Sequence, residues 1–84
     1  MTLLNVTVTE DHIARGERGQ CSSCPLALAV LDATGLTPSV SLRRVLIPGM
    51  SGDWIFLPDK AIRFRERFDD GKKVTPFSFT LEVP

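Results

Sequence analysis

The stretch Gly19-Gln20-Cys21-Ser22-Ser23-Cys24-Pro25-Leu26-Ala27-Leu28-Ala29-Val30-Leu31-Asp32-Ala33-Thr34-Gly35 holds both cysteines of the chain and its longest apolar run. Pro25 suits a first helical position, where its missing N–H would have had no partner inside the helix, and Gly35 suits the left-handed position just past a helix end. Between them stand mostly Leu, Ala and Val, so the pattern predicts a helix that the rest of the chain must enclose, with Cys24, Ala27, Leu28 and Leu31 on one stripe. Both thiols then lie at the start of a buried helix.

Outward from this helix, 84 residues with a 43% hydrophobic share make one domain, 1–84, small but able to bury a core. Ten basic and ten acidic residues give a formal net charge of zero, so the whole-molecule attraction to nucleic acid of a strongly basic domain is missing. Charge is nonetheless uneven. Residues 43–84 carry eight basic and six acidic side chains, against Arg15 and Arg18 facing Glu10, Asp11, Glu17 and Asp32 in residues 1–42. No apolar run approaches the roughly 18–20 residues of a membrane span, and Met1-Thr2-Leu3-Leu4-Asn5 lacks the layout of a secretory signal. The expected location is the cytoplasm. Two cysteines two residues apart form no disulfide framework.

Before the central helix, Leu4, Val6 and Val8 alternate with Asn5, Thr7 and Thr9, which predicts a strand with one buried face. Thr9 then fits an N-cap, Glu10 and Asp11 fit a first turn, and Gly16 ends a short helix. After Gly35, Val40 to Ile47 is apolar and β-branched and predicts a strand. Its alternation breaks at Arg43-Arg44, which predicts a bulge. Pro48 to Asp53 is a loop with Met50 at its tip, and Trp54 to Leu57 is a short strand returning beside the previous one. Pro58 and Asp59 open an amphipathic helix ending near Asp69-Asp70-Gly71, with Ala61, Phe64 and Phe68 on one face and Lys60, Arg63 and Arg67 on the other. Phe77, Phe79, Leu81 and Val83 alternate with Ser78, Thr80 and Glu82 in a last strand.

The order is therefore β-α-α-β-β-α-β. Helices with an apolar face and strands with one wet side predict an α+β two-layer sandwich: a mainly antiparallel four-stranded sheet with its helices on one face. Right-handed crossovers would give the strand order 4-1-3-2 of a ferredoxin-like fold.

At Glu10-Asp11-His12-Ile13, from Gly16 through Cys24-Pro25-Leu26-Ala27-Leu28-Ala29, and at Arg67-Phe68-Asp69-Asp70-Gly71 with Val74, Pro76-Phe77 and Phe79, the chain resembles a group of small hypothetical proteins encoded by tailed bacteriophages. Its Arg- and Ala-rich style is similar to that of phages of actinobacteria, mycobacteriophages among them. The resemblance implies a phage protein working in the host cytoplasm. It supplies no biochemical activity, and its Cys-Pro step before a small apolar helix looks more like a packing signature than a catalytic one.

Three constellations carry candidate chemistry. Cys21 and Cys24 have the spacing of half a tetrahedral zinc site, with His12 as the one histidine to extend it, and thiols at a helix N-terminus also suit redox chemistry. The bland alternative is a core Cys24 and a loop Cys21. Lys60, Arg63 and Arg67, joined by Arg43, Arg44, Lys72 and Lys73, form a basic surface able to meet phosphates, or simply a solvated helix face. Met50 and Trp54, with Ile55 and Phe56, offer an apolar patch to a protein partner or supply the core. No nucleophile, base and orienting group assemble, and no Gly-rich phosphate loop is present, so the expectation is no enzyme and no cofactor. A non-enzymatic phage accessory protein binding a host or phage protein follows, with nucleic-acid binding through residues 60–67 and a zinc- or thiol-dependent protein as alternatives. A homodimer through the wet sheet face is a secondary expectation.

Overall fold

The computed structural model describes residues 2–20, 22–50 and 52–83. Along the chain run β1 (Thr2–Val8), α1 (Glu10–Arg15), α2 (Pro25–Thr34), β2 (Ser39–Val40), β3 (Arg44–Leu46), β4 (Ile55–Phe56), α3 (Asp59–Asp69) and β5 (Phe77–Val83). Every strand pair is antiparallel, and the chain is α+β.

The first and last strands pair along their whole length, from Thr2 opposite Val83 to Val8 opposite Phe77. Period-two alternation decides their two faces. Val6, Val8, Phe79, Leu81 and Val83 are buried, while Asn5, Thr7, Ser78 and Thr80 face outward. The outer face is tied by side-chain hydrogen bonds: Thr80 Oγ1 donates to Asn5 Oδ1 at 3.0 Å, and the Thr7 and Ser78 hydroxyls lie 3.3 Å apart.

On the buried face lies α2, flanked by α1 and α3. Pro25 starts it and Gly35 ends it at φ 74°, as the sequence predicts. Its inner side differs from the expected stripe. Pro25, Leu26, Ala27, Ala29 and Val30 are buried, whereas Leu28 and Leu31 are half-buried. In a helix apolar nearly all round, periodicity does not choose the side that meets the sheet. Here the small side chains of Ala27 and Ala29 are among those turned inward, together with Leu26 and Val30.

The expected single strand over Val40 to Ile47 is instead a hairpin. Val40 pairs with Val45 and Ser39 with Leu46, around a reversal at Leu42-Arg43, and Ser41 N–H donates to the Arg44 carbonyl at 2.7 Å. What looked like a bulge at Arg43-Arg44 is a turn, which brings Val40 and Val45 side by side in the core. β4 then adds to β3, with Val45 opposite Ile55.

The four-stranded sheet is also not formed. β1 and β5 make a two-stranded ribbon, β2-β3-β4 make a separate three-stranded sheet, and β4 lies beside β5 without a ladder between them. Of the order 4-1-3-2, the pairing of the first and last strands and that of the second and third expected strands, here β3 with β4, are present, whereas the first strand makes no ladder with the third. The reason lies in strand length: β4 is two residues long and Pro58 follows Leu57, so little backbone is left to ladder onto β5. No helix among the described residues is long and apolar enough to cross a membrane.

Candidate functional site

Helix α3 carries its basic residues at i, i+3 and i+7, so Lys60, Arg63 and Arg67 project from one exposed side while Ala61 and Phe64 are buried. How the helix ends decides what faces this row. Gly71, at φ 78°, adopts the left-handed conformation open to a residue without Cβ; its N–H donates to the Phe68 carbonyl at 3.1 Å, and Lys72 N–H donates to the Arg67 carbonyl at 2.9 Å. This cap turns the chain back so that residues 73–77 run alongside the helix. The result is a groove of about 350 Å³ lined by Lys60, Arg63, Arg67 and Lys73 with Phe64, Val74, Thr75 and Phe77.

Its floor is aromatic. The Phe64 and Phe77 rings lie 4.7 Å apart at 33°, and Phe77 packs on Phe79 at 5.5 Å. Its charged lining residues are all cationic, for the α3 carboxylates Glu66 and Asp69 do not line it. The ion pairs among the described residues join His12 to Asp32, Arg15 to Asp11 and Arg65 to Asp69, so none of the four groove cations is neutralised by one.

No family model, curated protein or solved structure matches this chain.

Of the basic residues expected to join the row, only Lys73 does. Arg44 is held elsewhere, its guanidinium 5.1 Å from the centre of the Trp54 ring, and Arg43 and Lys72 do not line the groove. Met50 is exposed at the loop after Ile47 and Trp54 is at the margin of exposure, so the two are surface residues. The more prominent apolar side chain there is Phe56, 76% exposed on β4 opposite Arg44. Alternation with the buried Ile55 and Leu57 is the signal for it.

The thiol and histidine candidates separate. Cys21 lies outside the described residues. Cys24 is buried as the N-cap residue of α2, and burial pushes its thiol pKa up from the ordinary value, outweighing the Ala27 and Leu26 backbone N–H groups and the Arg65 charge that would lower it. A reactive redox thiol needs the opposite shift. His12 is also buried, and both ring nitrogens are engaged. Thr9 N–H donates to Nδ1 at 3.0 Å, which leaves the proton on Nε2 to be donated to Asp32. That hydrogen bond, the largest cause, holds the exposed Asp32 carboxyl below its ordinary pKa. No group of three His, Cys, Asp or Glu among the described residues is placed to hold a metal.

Sequence reasoning missed Arg65. It is 6% exposed, two positions from both Arg63 and Arg67 of the solvent-facing row, and reaches inward so that Nη1 donates to the Val40 carbonyl at 3.0 Å. Asp69 lies one turn on, its carboxylate 3.5 Å from Arg65 Nε and accepting the Gly19 N–H at 3.1 Å. This cluster anchors α3 to β2 and to the connector before α2.

Proposed function

We propose that the chain is a non-enzymatic binding module, encoded by a phage and working in the cytoplasm of its bacterial host, that docks a host or phage protein through the groove on α3. The observation that carries this reading is the concentration of four cations without ion-pair partners among the described residues, over an apolar floor in a chain of zero net charge. A solvated helix face has no need of a concave aromatic floor, and an interface core is built from such a floor with charge at its rim. The resemblance to small phage proteins supports the setting.

The test is an affinity pull-down of the tagged protein from host lysate, with and without nuclease, and mass spectrometry of what is retained. A specific protein that survives nuclease supports the reading. Retention that nuclease abolishes favours the second reading, nucleic-acid binding by the same four cations, which would weaken steeply with salt.

A further inference from the structure

We infer that the occupant of the α3 groove is an extended acidic peptide segment, with carboxylates at alternate positions and an apolar residue between them. The inference rests on the protein-binding reading and supplies the chemistry of that partner. Arg63 and Arg67 stand four residues apart on one helix, about 6 Å along its axis. Alternate side chains of an extended strand lie about 6.6 Å apart on one side. Two carboxylates at i and i+2 therefore match the two guanidinium forks, which bind carboxylates bidentately. Lys60 extends the row by one further turn at one end, and Lys73 faces it from the other wall. The residue between the two acids points to the opposite side, toward the wall formed by Val74 and Thr75.

The floor decides between a peptide and a nucleic acid. Base recognition in single strands uses open ring faces as stacking platforms. Phe64 is 7% exposed, and Phe77 packs against both Phe64 and Phe79, so these rings are occupied with one another. A groove of about 350 Å³ has room for one large apolar side chain and its neighbours.

Fluorescence anisotropy of the full chain tests this, using a labelled peptide in which Glu alternates with Leu, a second in which Lys replaces Glu, and an oligothymidylate. The Glu peptide should bind, more weakly as salt rises. Arg63→Glu combined with Arg67→Glu should weaken it at least about tenfold, the scale of two lost ion pairs. The Lys peptide should bind the doubly reversed variant better than the wild type. Both arginines are exposed, and a thermal melt verifies that the variant is folded. Val74→Ser should weaken the Glu peptide without changing its salt dependence. Absence of Glu-peptide binding, binding indifferent to charge reversal, or tighter binding of oligothymidylate at the same salt would each overturn the inference. A lysate protein retained after nuclease and unaffected by the Arg63→Glu, Arg67→Glu variant would also overturn it, while leaving protein binding intact on another surface.

Discussion

Histidine 12 shows how one side chain can close two elements at once. It completes the Thr9 capping box at the start of α1 and reaches across to Asp32 on α2. His12→Ala removes the side-chain half of the capping box and the bridge together, leaving the Thr9 hydroxyl its backbone donor, and should cost about 1–2 kcal/mol in urea denaturation. Asp32 gives this contact a pH dependence with a definite sign. A carboxyl whose folded-state pKa is depressed stabilises the fold above its ordinary value of 3.8, and that contribution is lost as pH falls through the lower folded value. The stability difference between the wild type and Asp32→Asn should therefore be present at about pH 6 and shrink as the pH is taken below the ordinary value of 3.8. The buried Arg65 behaves differently, because removing its partner leaves a charge without compensation. Asp69→Ala should cost at least about 2 kcal/mol and more than Arg65→Met, compared by urea midpoints. Sequence shows the Thr9 cap, since its signals sit three residues apart. It does not show Asp32 as the partner, twenty residues on, nor that one arginine among three in α3 turns inward.

The helices were more legible than the short strands, and the physical reason differs for each. Helix ends are marked by local chemistry: Thr9, Pro25, Gly35 and Asp59 fall where caps and first turns need them. The side of α2 that faces inward carries no such mark, which is why the expected stripe misses it. Leu26→Ala should cost about 3 kcal/mol, whereas Leu28→Asp should leave the protein folded, as read by circular dichroism and thermal melting. The β2–β3 reversal was missed because Leu42-Arg43 contains none of the residues that announce a tight turn. Among the described residues none other than glycine has positive φ, so this is not one of the primed turns whose twist suits a hairpin, in keeping with strands of two and three residues. Replacing Leu42-Arg43 by Asn-Gly should stabilise the hairpin by about 0.5 kcal/mol, measured by the same denaturation. For the candidate site, helical spacing exposed the row Lys60, Arg63 and Arg67. The opposite wall depends on the cap at Gly71, and no periodicity brings Lys73, Val74 and Phe77 to face the helix.

Across the whole molecule, stability is concentrated where the two ends of the chain meet. The β1–β5 ladder is the longest in the fold and its buried side chains form much of the core, whereas β2, β3 and β4 share few ladder bonds. Hydrogen exchange should accordingly be slowest in the paired amides of Thr2–Val8 and Phe77–Val83 and faster in the three-stranded sheet. The clean alternation of both strands in sequence reflects the same fact, since a seven-residue strand with one wet face must declare its parity throughout. Closing the chain's ends on each other also means that the decisive pairing is the most distant one, which slows folding relative to a helical bundle of equal size. The groove gains from the arrangement, because Phe77, which forms part of its floor, belongs to the most firmly held strand. Under mechanical load the same pairing becomes the weak point. Thr2 and Val83 sit opposite each other at one end of an antiparallel ribbon. A force drawing them apart opens the ladder one pair at a time like a zipper, instead of loading all its bonds together in shear, so the protein should yield at low force and lose its core from that end inward.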